Sequence, residues 1–286
     1  MSLRLVIGHA TDVGKVRDHN EDGYLIDADL ALVAVADGMG GHRGGEVASA
    51  IALDALHAAF SETGGLRDAV RAANDAVLER GANEAQLRGM GTTLTAGVLG
   101  IDDTLLVGHV GDSRAYLLRD GQLSRITTDH SLVEELIAAG ELTEEEAVRD
   151  PRRSMITRAI GLEADLDVDL YPVALAPGDR VLLCSDGLTT MLHEDAILSI
   201  LAGEPDPVKA ALKLVAAANA AGGVDNTTVL VLDAVDNGAA GADATSVLDV
   251  VGDSALDENA ADAERPDGAS EAGTARKRRF GIFRRR

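Results

Sequence analysis

The sequence has no tryptophan, three phenylalanines and three tyrosines, so aromatic residues make up 2% of its 286 positions. Its core must therefore be built from Ala, Val, Leu and Ile, and stacking of nucleic-acid bases on aromatic side chains is excluded as a main binding mode. Bases are scarce too: 26 Lys and Arg stand against 48 Asp and Glu, a formal net charge of −22. Nucleic acid needs clustered cations to displace its counterions, so this surface excludes it as a partner, and any phosphate handled here calls for an added cation. The single cysteine, Cys184, precludes an intrachain disulfide and sits in the apolar run RVLLCSDG, where it reads as a small buried residue suited to the reducing cytoplasm. No signal-like segment opens the chain, and no uninterrupted apolar stretch reaches the roughly 20 residues of a membrane helix.

What is present is a hydrophobic fraction of 46%, enough for a sizeable core and a monomer that folds alone. Short Val- and Leu-rich runs bounded by Gly or Asp predict strands at 3–10, 31–37, 92–100, 104–111, 114–119, 180–186 and 227–234. Apolar residues spaced three and four apart predict two helix pairs, 46–60 with 66–80 and 194–201 with 207–221. Clustered strands and paired helices favour an α+β fold. Asp120-Gly121 supplies the positive φ angles of a tight hairpin in RAYLLRDGQLSRIT, and Ser131 with Glu134 forms a capping-box pattern that predicts a helix from Leu132. The segment of about 130–160 interrupts the strands and reads as an inserted, mobile flap.

Five aspartates share one context: Asp22 in NEDGY, Asp37 in VADGMGG, Asp112 in HVGDSRA, Asp186 in CSDGL and Asp225 in GGVDNTT. Each borders an apolar run beside a glycine or turn residue, and singly each reads as a turn former. If the strand ends meet at one sheet edge, however, the carboxylates repel one another unless a cation neutralises them. An oxygen-only set suits Mg²⁺ or Mn²⁺, whereas zinc calls for Cys or His at ligand spacing, which one cysteine and seven scattered histidines do not supply. The glycines after Asp37 also raise the possibility of a phosphate cradle. No Lys-Ser or Lys-Thr follows them, and Arg43 stands where a dinucleotide fingerprint needs glycine, so both cradles fail.

Six ordered motifs, RDHNED (17–22), ADGMGGHRGGEVAS (36–49), GTTLT (91–95), GDSR (111–114), SDGL (185–188) and DNTT (225–228), resemble the bacterial branch of the metal-dependent PPM, or type 2C, Ser/Thr protein phosphatases. The resemblance covers about residues 3–234. It implies a four-layer αββα arrangement, a β-sandwich of two antiparallel sheets with helix pairs on both outer faces and the active site at one end. It also implies two Mn²⁺ or Mg²⁺ ions bridged by Asp37 and a water, with Asp22, the Gly38 carbonyl, Asp186 and Asp225 completing their shells and Glu21 binding through water. Arg17 matches the family's phosphate-binding arginine. The activity implied is hydrolysis of phosphoserine and phosphothreonine on proteins, including Ser/Thr kinases, by a metal-activated water, reversing eukaryote-like kinases in a bacterium.

Two positions depart from the wider family. Met39 stands where eukaryotic members place a proposed general-acid histidine and has no proton to donate. His42 is a candidate substitute, although a local structural role is the favoured reading, and water at the metals is an alternative acid. Thr190 stands where many relatives carry an aspartate, so a possible third ion near Asp112 loses a ligand; Ser154 in the flap is a candidate replacement, and Asp112 hydrogen-bonding near Arg114 is an alternative. Thr92 and Thr93 are expected to line the site, and His109 and Cys184 to lie in the core. An adaptor that only binds phosphoproteins is the competing class, but such chains usually lose metal aspartates, and none of the four is missing. Three regions are expected: a catalytic domain over 1–234, a disordered acidic Ala- and Gly-rich tail over 235–275, and a basic block over 276–286, RKRRFGIFRRR, that stays solvated, folds back on the acidic body, or docks peripherally on an anionic membrane at the inner face.

Overall fold

The structure, a computed structural model, describes residues 3–40, 44–147, 149–237 and 248–250. In chain order the elements are β1 (Leu3–Asp12), β2 (Asp22–Asp27), β3 (Leu32–Met39), α1 (Gly44–Thr63), α2 (Leu66–Asn83), β4 (Gly91–Thr92), β5 (Leu94–Leu99), β6 (Thr104–Val110), β7 (Arg114–Arg119) and β8 (Gln122–Arg125). Then come α3 (Leu132–Ala138), α4 (Glu144–Ala147), β9 (Asp169–Ala174), β10 (Arg180–Cys184), α5 (Asp186–Met191), α6 (Glu194–Gly203), α7 (Pro207–Ala221), β11 (Thr227–Asp236) and β12 (Leu248–Val250).

The strands form two sheets, ordered β12-β1-β11-β10-β7-β8 and β2-β3-β5-β6-β9, with β4 beside β3. Alternation along each strand sends one set of side chains between the sheets and the other outward. Val33, Val35, Leu105, Val107, Val181, Leu183, Leu230 and Leu232 fill the space between the sheets. Outward residues such as Leu32, Ala34 and Ala36 meet Ala52, Leu56, Ala69 and Ala73 of α1 and α2. On the other side Leu182, Val229 and Val231 meet Ile197, Ala211, Leu214 and Ala218 of α6 and α7. The result is the expected four-layer αββα sandwich, in which alanine-rich helix faces let backbones approach and one aromatic residue fills each helix–sheet layer, Phe60 in the first and Tyr116 in the second.

The hairpin forms as expected, with φ of 52° at Asp120 and 76° at Gly121. Ser131 caps α3 by accepting from the Glu134 amide at 3.4 Å, whereas the Glu134 carboxylate goes to Arg125 at 2.8 Å instead of closing the capping box. The segment between β8 and β9 is held at its base by bridges Ser131↔Ile156 and Thr92↔Ile160. One expectation needs correction: β11 runs past 234 to Asp236, and Leu248–Val250, in the expected disordered tail, pairs in parallel with Leu5–Ile7. The SVLDVV stretch supplies β-forming residues, and the outer side of β1 offers unpaired backbone groups. The basic block 276–286 lies outside the described residues.

At the sandwich end away from the aspartates, Arg180 is buried and bridges Asp233 (2.5 and 2.7 Å) to the carbonyls of Leu201 (2.6 Å), Glu204 (2.5 Å) and Pro205 (2.9 Å) at the end of α6. Removing one partner of a buried pair strands the other, so Arg180→Met is expected to cost about 3 kcal/mol or more. Thermal unfolding followed by circular dichroism checks this as a fall in melting temperature.

Candidate metal centre

The antiparallel register of β2 and β3 sets Asp22 opposite Asp37, a like-charge cross-strand pair that is unfavourable alone. The second sheet brings Asp186, the first residue of α5 after β10, and Asp225, just before β11; these two strands are neighbours. Asp112 lies in the turn joining β6 to β7, where the chain passes from one sheet to the other. Strand ends of both sheets thus gather the five aspartates at one end of the sandwich, the condition under which such a set calls for a cation.

Asp22 Oδ2 accepts from Ser185 Oγ at 2.8 Å, while its Oδ1 is buried without a hydrogen-bond partner. Asp37 and Asp186 face each other closely enough for one protonated carboxyl to hydrogen-bond the other. Asp225 accepts from Arg17 Nη2 at 2.7 Å through Oδ2 and from the Asn226 amide at 2.9 Å through Oδ1. Gly38 permits a close approach: a Cβ there would sit 2.2 Å from the Gly45 carbonyl oxygen and 2.6 Å from that of Glu21. A Cβ on Gly45 would in turn meet the Glu21 carboxyl carbon and the Gly38 carbonyl oxygen at 2.7 Å, so Glu21, Gly38 and the start of α1 pack together.

The electrostatics record the crowding. Burial, then Asp186 and Asp225, push Asp22 up to about 7 against the hydrogen bonds of Ser185 and Thr228. Burial, then Asp22, Asp186, Asp112 and Asp225, raise Asp37 well above the carboxylate range. Asp112 rises to about 8 through burial, then Asp186 and Asp129, and Asp186 rises through burial and Asp225. Crowding at this end of the sandwich thus opposes ionisation of the carboxylates. Among the described residues no three His, Cys, Asp or Glu side chains close into a ready-made cage. A hard divalent ion that keeps several waters needs none, and the orphaned Asp22 oxygen with its carboxylate neighbours fits such an ion.

Several supporting groups could not be placed from the sequence. Asn226 is a clamp: its Oδ1 accepts from the Glu21 amide at 2.8 Å, and its Nδ2 donates to the Val13 and His19 carbonyls at 2.9 Å each. Ser185 links the sheets, donating to Asp22 and accepting from the Thr228 amide at 2.9 Å. Thr92 and Thr93 do not line the site. Both are buried behind it, Thr93 Oγ1 accepting the Asp37 amide and Thr92 Oγ1 donating to the Asp37 carbonyl, each at 2.9 Å, because strand pairing turns them inward. The Arg114 alternative for Asp112 is not realised, since Asp129 takes that guanidinium at 2.7 and 3.0 Å. His109 and Cys184 are core residues, as expected. The quoted motifs contained Asn226, Ser185 and Thr93, yet only tertiary contacts show what they bond.

A groove of about 870 Å³ opens from Asp112 and Asp186 toward the flap, and Ser154, Thr190 and Arg153 line it. His42 lies outside the described residues.

A family model described as protein phosphatase 2C matches residues 15–212. The chain is 40% identical over 236 residues to the serine/threonine phosphatase stp of Listeria monocytogenes, covering 78% of this chain and 93% of that one. It is 44% identical over 243 residues to the serine/threonine protein phosphatase PstP of Mycobacterium tuberculosis, covering 82% of this chain and 46% of that one. A crystal structure of the PstP catalytic domain in complex with 2 manganese ions is similar at a TM-score of 0.75 and 41% identity, over 82% of this chain and 100% of that one.

Proposed function

We propose that this chain, which belongs to the protein phosphatase 2C family, hydrolyses phosphoserine and phosphothreonine esters on proteins in a divalent-metal-dependent reaction, reversing eukaryote-like Ser/Thr kinases in a bacterium. The observation that carries this reading is the partnerless buried oxygen of Asp22 among carboxylates whose ionisation burial and mutual crowding oppose. Asp22, Asp37, Asp186, Asp225 and the Gly38 carbonyl would hold two Mn²⁺ or Mg²⁺ ions, with Glu21 reached through water. When bound, such ions supply an activated water for attack on phosphorus and offset charge on the phosphoryl oxygens. Ser185 and Asn226 fix the carboxylates from both sheets, so the site is preorganised rather than assembled by substrate. A third ion would take Asp112, with Ser154 and Thr190 on the wall of the same groove. Met39 has no transferable proton, so water or His42 would protonate the leaving alcohol.

Arg17 stands at the mouth with its side chain 49% exposed and one guanidinium nitrogen on Asp225. Its planar fork offers further donors to two phosphoryl oxygens at once. Arg17→Ala is expected to lower kcat/KM by about 10- to 100-fold, mostly through KM, as charged hydrogen bonds of this kind are worth about 1.5–3 kcal/mol. Steady-state kinetics on a phosphopeptide check it. The reading itself is tested with p-nitrophenyl phosphate and a phosphorylated kinase activation-loop peptide: turnover should require Mn²⁺ or Mg²⁺ and stop with chelator, and chelator-resistant turnover would overturn it. Among the described residues no helix is long and apolar enough to cross a membrane.

A further inference from the structure

We propose that His130 is a positioning residue, whose ring fixes the Gly111–Ser113 turn, and with it Asp112, in register with the other aspartates and ties that turn to the base of the flap. The inference rests on the metal-dependent reading of the site. Gly111 has φ of +112°, and a Cβ there would sit 2.6 Å from Thr93 Cβ and Cγ2, so the turn requires glycine and has no side chain of its own at that point to hold it. His130 supplies the hold from outside. Its backbone N–H donates to the Gly111 carbonyl at 2.7 Å, and its Nδ1 accepts the Gly111 N–H at 3.0 Å, so one residue satisfies both backbone groups.

The same residue reaches the flap. The His130 carbonyl accepts the Thr157 N–H at 2.8 Å, and the next residue, Ser131, bridges Ile156. Because Nδ1 is an acceptor, the neutral ring carries its proton on Nε2, which faces Asp169 Oδ2 at 3.3 Å. Arg158 Nη1 binds Asp169 Oδ1 at 3.0 Å, and its 2.9 Å approach to Nε2 sets two N–H groups side by side, held there by the carboxylate they both face and not by a hydrogen bond to each other. The ring is 7% exposed and lies 4.8 Å from that of His109. Burial, then Arg158, holds its pKa below the ordinary histidine range, in keeping with a neutral ring. A merely space-filling histidine needs only the ring; this one is defined by which nitrogen accepts.

That distinction sets the experiment. Asparagine places an acceptor near the Nδ1 position and glutamine near the Nε2 position, so His130→Asn, His130→Gln and His130→Ala are compared in the full chain. Three quantities are measured: exchange of the Gly111 amide proton by NMR, Mn²⁺ affinity by calorimetry without substrate, and kcat and KM for p-nitrophenyl phosphate. In His130→Ala and His130→Gln the Gly111 amide should exchange about tenfold faster, Mn²⁺ should bind more weakly, and kcat should fall about tenfold at nearly constant KM. His130→Asn should restore protection and most of kcat. Unchanged Gly111 exchange in His130→Ala, or rescue by Gln equal to that by Asn, would overturn the proposal. If the alanine variant does not fold, the Asn and Gln comparison decides. Absence of metal-dependent turnover in the wild type would sink the functional reading alone, since Gly111 exchange still reports on the latch.

Discussion

Asp37→Asn should lose about three orders of magnitude of Mn²⁺-stimulated turnover and, in the absence of metal, melt at a higher temperature than the wild type. Both effects have one cause. Asp37 sits opposite Asp22 in the β2–β3 register and faces Asp186, and burial together with these neighbours opposes its ionisation. An amide keeps the size and one acceptor oxygen but removes the charge, so the metal-free cluster relaxes while its hold on a divalent ion weakens. Metal that binds only the folded state stabilises it by an amount that grows with its concentration over Kd. The wild type should therefore gain melting temperature on addition of Mn²⁺, and the variant should gain much less. Turnover that survives in Asp37→Asn at saturating Mn²⁺ would remove Asp37 from the centre. A lower melting temperature for the metal-free variant would instead show that Asp37 is a net stabilising contact.

The difference between what the chain announces and what only folding reveals follows physical lines. The aspartates were legible because each lies at or near the start or the end of an apolar strand beside a turn residue, which brings the Asp-Gly, Asp-Ser and Asp-Asn pairs into view. The inner strands were legible for the same reason: β3, β5, β10 and β11 are almost wholly buried. Strands β2 and β9 were not, since they are the outer strands of their sheet, only half-buried, and β9 carries Pro172, which an edge position tolerates. Helix α5 escaped because its six residues begin inside the SDGLTT turn. The hydrogen bonds of Ser185, Thr93 and Asn226 join residues 163, 56 and 205 positions apart, beyond any local pattern. His130 belongs to this group as well: nothing around DHSLV indicates that its ring meets Gly111.

The pH dependence of the metal-free protein should run opposite to that of a typical acid-labile domain. A carboxylate stabilised by ion pairing has a depressed pKa and loses its contribution as pH falls. Here Asp22 is pushed up to about 7 and Asp112 up to about 8, with Asp37 and Asp186 raised as well, all from an unfolded value of 3.8. Between roughly pH 6.5 and pH 8 the folded state therefore binds more protons than the unfolded one, and stability falls as pH rises, by about 1.4 kcal/mol per pH unit for each such proton; below that range the lowered His9, His109 and His130, which the unfolded state protonates near 6.5, contribute in the opposite direction. A divalent cation reverses the sign of the local field and replaces those protons. Its binding should release protons to the buffer, strengthen from pH 6 to pH 8, and give a rise in melting temperature that is larger at pH 8 than at pH 6. Calorimetry of Mn²⁺ binding in buffers of different ionisation enthalpy measures the protons released, and melting scans with and without chelator measure the shift. Binding without proton release, or a metal-free protein that gains stability from about pH 6.5 to pH 8, above the unfolded histidine value, would mean that the carboxylates are already ionised and neutralised by other groups. In that case the partnerless oxygen of Asp22 would no longer argue for a cation.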